Sequence, residues 1–122
     1  MSRVIHFEIH VDDVDRAINF YKEIFGWKFD KWDGPQPYWL VTTGPDSQPG
    51  INGGLMKRLH PEGATYNSID VPSVDDFAAK ITKKGGEVVV PKMPIQGVGF
   101  LAYCKDTEGN IFGIFETDAS AK

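Results

Sequence analysis

Cysteine is nearly absent: Cys104 stands alone in 122 residues. An internal disulfide is therefore excluded, and a reducing, cytoplasmic setting is the expectation. Its neighbours in Phe100–Cys104 are apolar and aromatic, which suits a buried, inert thiol better than a nucleophile. Basic runs are also missing. With 13 Lys and Arg against 17 Asp and Glu, the net charge is -4, and no nucleic-acid partner is expected. No apolar stretch approaches the roughly 20 residues that span a bilayer, so no membrane partner is expected either. The opening Met1–Val4 lacks the apolar region of a signal peptide. What is present, 41% hydrophobic and 25% charged residues, is the composition of a folded globular chain. The length suits a single domain over residues 1–122.

Val4–Val11 alternates without a break. Ile5, Phe7, Ile9 and Val11 fall on one side of a strand, and His6, Glu8 and His10 on the other. The first side is fit for a core. The second carries three groups able to move protons or bind metal, spaced roughly 7 Å apart along the strand. A half-buried strand with a wet outer side has the same pattern, so the remainder of the chain has to decide.

Asp12–Asp15 supplies a helix cap and acids for a helix N-terminus. Val14, Ala17, Ile18, Tyr21, Ile24 and Phe25 then recur at helical spacing, and Gly26 is the expected stop. Strands are predicted at 27–32, 38–43 and, more weakly, 51–58, with a turn at 34–37 and a loop at 44–50. Residues 59–64 form a turn-rich connection in which His60 is expected to be solvated. The pattern then restarts with a strand at 65–71. A helix opens at Pro72-Ser73 with the stripe Val74, Phe77, Ala78 and Ile81, and Gly85-Gly86 stops it. Strands follow at 87–90, 98–104 and 111–116. The loop 91–97 joins the first two, Asp106–Asn110 makes a turn, and 117–122 is expected to fray.

The two halves superpose at an offset of 60: Ile9 and Val11 on Ile69 and Val71, Val14-Asp15 on Val74-Asp75, Gly26 on Gly86. Each half reads βαβββ, with module one at 1–58 and module two at 64–116. A half of this kind has a sheet face to cover and little core of its own, so the expected fold is α+β, with curved mixed sheets around a cup.

Paired βαβββ modules, an inward His6, the helix phrase Asp15–Lys22 leading to Phe25-Gly26-Trp27, and the turn Asp106–Asn110 together resemble the vicinal oxygen chelate superfamily. That superfamily includes glyoxalase I, bleomycin-resistance proteins, fosfomycin-resistance enzymes and extradiol dioxygenases. The resemblance runs from Arg3 to Glu116 and is specific for the fold rather than the reaction. It implies a homodimer and, in catalytic members, a divalent metal held by His and Glu from the first and last strands of each module. There the metal works as a Lewis acid on two neighbouring substrate oxygens.

Carried onto this chain, the implied ligand positions are His6, Gly53, Tyr66 and Gly113, with Gly54 the alternative to Gly53 if the register slips by one. Only His6 is a conventional ligand, and glycine at both carboxylate positions leaves no charge to hold a cation. No cofactor is therefore expected, and a divalent metal enters only through a rearranged site on His6, Glu8 and His10. Without metal, His6 and Glu8 can form a proton-transfer pair in which the carboxylate orients the imidazole. The offset places Tyr66, Ser68 and Asp70 on the matching side of module two, and Trp39 and Tyr103 are candidates to stack a planar ligand. Such a cup suits a small polar molecule.

Three readings follow. One is a glyoxalase-related enzyme acting on a small oxygenated metabolite, with His6 and Glu8 catalytic and His10, Tyr66, Ser68, Asp70, Trp39 and Tyr103 binding substrate. Another is a non-catalytic binding protein of the bleomycin-resistance type. The third is a metal-dependent lyase or dioxygenase on the rearranged His/Glu site. Glyoxalase I activity on the methylglyoxal–glutathione adduct is not expected, because it depends on the missing carboxylates.

Overall fold

A computed structural model of the chain describes residues 2–59, 61 and 63–122. His60 lies outside the described residues. The chain divides into two compact units, His6–Thr65 and Met1–Ile5 with Tyr66–Lys122. The elements in chain order are β1 (Val4–Val11), α1 (Val14–Phe25), β2 (Lys28–Lys31), β3 (Trp39–Thr42), β4 (Gly53–Lys57), β5 (Thr65–Asp70), α2 (Val74–Lys83), β6 (Glu87–Ile95), β7 (Gly99–Lys105) and β8 (Ile111–Thr117). The βαβββ order thus occurs twice, and the fold is α+β with mixed strand pairing.

In the first unit β1 pairs with β4 in parallel, and β4–β3 and β3–β2 are antiparallel. Helix α1 starts where the Asp13 carboxylate accepts the Arg16 N–H at 3.0 Å. It ends at Gly26, whose φ of 72° is the left-handed cap that glycine adopts without a Cβ penalty. Val14, Ala17, Ile18 and Tyr21 lie over Ile9, Val41 and Leu55, joined by Phe7, Trp27, Phe29 and Trp39. Ile24 and Phe25, expected in that apolar stripe, are more than half exposed instead. The Phe25 ring stacks on Trp27, with centroids 5.4 Å apart.

In the second unit β5 pairs with β8 in parallel, and β8–β7 and β7–β6 are antiparallel. The Ser73 hydroxyl caps α2 by accepting the Asp76 N–H, and Glu116 at the end of β8 accepts the Val74 N–H at 2.9 Å. The stripe Phe77, Ala78 and Ile81 packs on Val71, Val74, Ala102, Cys104 and Ile114. Residues 2–5 cluster here rather than with module one, and the Arg3 carbonyl accepts the Asp70 N–H at 2.9 Å.

Two expectations are corrected. Residues 91–95 form no loop: β6 runs on to Ile95, with register irregularities between Val88 and Met93. Pro91 and Pro94 are tolerated because β6 ends its sheet, where a missing N–H costs no ladder bond. The tail does not fray either. Strand β8 reaches Thr117, the Asp118 N–H bonds the Val98 carbonyl, and the buried Ala121 accepts the Gly97 N–H at 2.9 Å.

Candidate functional site

The alternation of β1 puts His6, Glu8 and His10 on the side away from α1. Glu8 and His10 are both buried, at 6% and 3% exposure. A buried carboxylate has to be hydrogen-bonded to be tolerated, and this one is bonded at both oxygens. Glu8 Oε1 lies 2.7 Å from His10 Nε2, and Oε2 accepts the Tyr38 hydroxyl at 3.0 Å. The same Tyr38 oxygen lies 2.9 Å from His6 Nε2. The four side chains form one run, His6–Tyr38–Glu8–His10, within one unit. Glu8 was expected to orient His6 itself. It bonds His10, and Tyr38 stands between Glu8 and His6.

Burial holds the His6 imidazole below its ordinary value of 6.5, although the Glu8 charge pulls the other way. His6 is therefore neutral near pH 7. Burial first, then the charge and hydrogen bond of Glu8, push the Tyr38 phenol well above its ordinary range, so it stays protonated. The run can hold and move a proton at neutral pH, because it combines a neutral imidazole, a phenol that keeps its proton and a carboxylate acceptor.

Register explains how Tyr38 reaches this face. Phe7 is paired with Gly53, and Glu8 with Gly54. Paired residues share a side of the sheet, so Gly54, not Gly53, lies on the His6 side. In module two Ser68 is paired with Gly113. The offset of 60 therefore slips by one before the fourth strand, and Gly54 is the counterpart of Gly113. A Cβ on Gly54 would sit 1.7 Å from the Tyr38 hydroxyl oxygen. The phenol occupies the space into which a side chain at that position would grow. A Cβ on Gly113 would meet Leu101 Cδ1 and Ser68 Oγ at an ordinary 3.5 Å.

Trp39 is corrected as a candidate ligand contact. It pairs with Leu55, which pairs with Ile9, so its ring belongs to the apolar core under α1. Tyr38, the residue before Trp39, is the aromatic that reaches the His6 side. The alternation of Tyr38 with Trp39, read against the apolar Ile9 and Leu55, was the signal available. In the second unit Tyr66, Ser68 and Asp70 share one side of β5, with Gly113 beside Ser68 and Tyr103 beside Gly113. Tyr66, Ser68 and Tyr103 are buried, and the Tyr66 and Tyr103 rings meet edge to face at 5.6 Å. That contact gives both tyrosines a packing role. A cleft of about 390 Å³ beside α1 and another of about 320 Å³ near Asp70 are lined by none of His6, Glu8, His10 or Tyr38. Neither cleft coincides with the hydrogen-bonded run, and the side-chain chemistry is the better guide. Among the described residues no three His, Cys, Asp or Glu side chains group so as to hold a metal ion.

Comparison with known proteins points in the same direction as the resemblance. A profile described as bleomycin resistance protein-like N-terminal matches residues 3–44. A lactoylglutathione lyase of Arabidopsis thaliana is 28% identical over 124 residues, covering 93% of this chain and 44% of that protein. The chain thus spans less than half the length of the curated relatives it matches. Methylmalonyl-CoA epimerase from Mycobacterium tuberculosis shares the fold at a TM-score of 0.66 and 16% identity, over 93% of this chain and 87% of its own. A glyoxalase/bleomycin resistance protein/dioxygenase superfamily member from Vibrio splendidus does so at 0.64 and 14%, over 97% and 100%. These matches support the resemblance to the vicinal oxygen chelate superfamily, with glyoxalase and bleomycin-resistance proteins among what the chain is similar to.

Proposed function

We propose that this chain binds a small, polar, oxygenated metabolite at the His6 face of module one and uses His6 to accept a proton from it, without the four-ligand metal of the superfamily's catalytic members. The observation that carries this reading is the hydrogen-bonded run His6–Tyr38–Glu8–His10. The residues present do not fit the metal. Gly54 and Gly113 offer no side-chain donor, and the Tyr38 oxygen fills the space a longer residue at 54 would need. His10 and Glu8, the remaining donors of a rearranged site, are bonded to each other.

The chemistry available is proton abstraction next to a carbonyl. The C–H bond of the ligand breaks and its electron pair stays on the carbon. The proton goes to neutral His6, and the imidazolium so formed is balanced by the Glu8 carboxylate, with Tyr38 between them. Tyr66, Ser68, Asp70 and Tyr103 remain candidate ligand contacts of module two by themselves. The assembly proposed is a homodimer of single-domain chains in a cytoplasmic setting.

The match of residues 3–44 to a bleomycin-resistance profile favours a second reading, sequestration of a small molecule without turnover. A thermal-shift screen of small hydroxy-ketones, keto-acids and planar polar metabolites, followed by His6→Ala and Glu8→Ala variants, separates the two. Catalysis is supported if a stabilising compound incorporates solvent deuterium with wild type and loses it in His6→Ala. Retained affinity in both variants with no exchange in wild type establishes sequestration. Absence of any stabilising compound contradicts both.

A further inference from the structure

The hydroxyl of Tyr38 has one proton and two neighbours, His6 Nε2 at 2.9 Å and Glu8 Oε2 at 3.0 Å. A carboxylate can only accept, and a hydrogen bond to an ionised acceptor is stronger than one to a neutral nitrogen. The Tyr38 proton therefore points at Glu8, and the phenol oxygen has only lone pairs left for His6. His6 Nε2 has to be the donor. We infer that Tyr38, seated on Gly54, is a positioning residue that holds His6 as the Nε2–H tautomer and so makes Nδ1 its proton acceptor. This rests on the reading of His6 as the proton-accepting group, and it assigns the atom.

Glycine at position 54 has its reason here. The φ of Gly54 is not positive, so its conformation does not call for glycine. The demand is steric: a Cβ would lie 1.7 Å from the Tyr38 oxygen and 2.1 Å from the carbon that bears it. Where the family resemblance implies a metal-binding carboxylate, this chain has a cradle for a phenol. Orientation of the imidazole, which in a metal site comes from the metal–nitrogen bond, comes here from a hydrogen bond to the residue that enters β3, two strands away from β1.

The test is two-bond ¹H–¹⁵N correlation NMR of the histidine rings in the full-length, ligand-free protein at pH 7. The chain has three histidines, so His6 is assigned by comparison with a His6→Gln spectrum. In wild type His6 is expected to show a protonated, pyrrole-type Nε2 and a bare, pyridine-type Nδ1. Tyr38→Phe, which keeps the ring and removes the oxygen, is expected to give mixed tautomers. Gly54→Ala, which evicts the phenol without changing it, is expected to do the same. A wild-type His6 protonated on Nδ1 overturns the inference. So does a Tyr38→Phe protein whose His6 tautomer is unchanged. The measurement needs no ligand, so its outcome is independent of whether the function proposed above is right.

Discussion

Gly54→Ala is the substitution whose cost follows most directly from the geometry. The new methyl would lie 1.7 Å from Tyr38 Oη, 2.1 Å from Cζ and 2.5 Å from Cε2. No small adjustment relieves three contacts of that length, so the phenol has to leave. Its departure removes a hydrogen bond to a buried carboxylate, a loss of about 1.5–3 kcal/mol. Replacing glycine by alanine returns about 0.4–1 kcal/mol through the unfolded chain. The net expectation is a destabilisation of about 0.5–2.5 kcal/mol. Gly113→Ala is the internal control. Its Cβ would meet Leu101 and Ser68 at 3.5 Å, so only the favourable part remains, and that variant should be neutral or more stable by up to about 1 kcal/mol. Urea denaturation of both variants measures the difference. A second pair, Gly54→Ala in wild type and in Tyr38→Ala, isolates the cause: with the phenol gone, the alanine should cost almost nothing. An equal cost in both backgrounds, or a Gly54→Ala no worse than Gly113→Ala, would refute the steric argument.

Other expectations follow from single residues. Folding lowers the His6 value below 6.5, so the unfolded chain takes up a proton first as pH falls; stability is full above 6.5 and declines below it. Urea midpoints across that range should show the decline, and His6→Gln should flatten it. Cys104 is fully buried and its thiol is pushed up by that burial, so a thiol-specific reagent should react slowly with native protein and titrate one equivalent in urea. Asp13→Ala removes the cap that holds the Arg16 N–H and should cost about 1 kcal/mol in the same denaturation assay.

The architecture was legible because each module states it twice. Strong alternation in Val4–Val11, helical spacing from Val14 and the glycine stops gave the order of elements. Pairing register was not legible, because a sequence offset tracks position along the chain and not position across a sheet. One extra residue ahead of β4 moved the His6 side from Gly53 to Gly54. The choice of Trp39 over Tyr38 has the same root, since one residue along a strand is the opposite side of the sheet. Strand β6 was cut short because Pro91 and Pro94 read as loop residues, and only a place at the sheet's end makes them acceptable in a strand. The three polar residues of β1 were found from their own pattern. Their partner Tyr38 lies 30 residues from Glu8, and no local signal joins the two.

The central claim, a site organised by side-chain hydrogen bonds where the family resemblance implies a metal, is tested most directly by metal content. Protein purified without chelator or His-tag should carry far less than one equivalent of any transition metal by mass spectrometry. Added nickel, zinc, manganese or iron(II) should leave its melting temperature unchanged. Near-stoichiometric metal, with a stabilisation that disappears in His6→Ala, would contradict the account and return His6 to the role of a ligand.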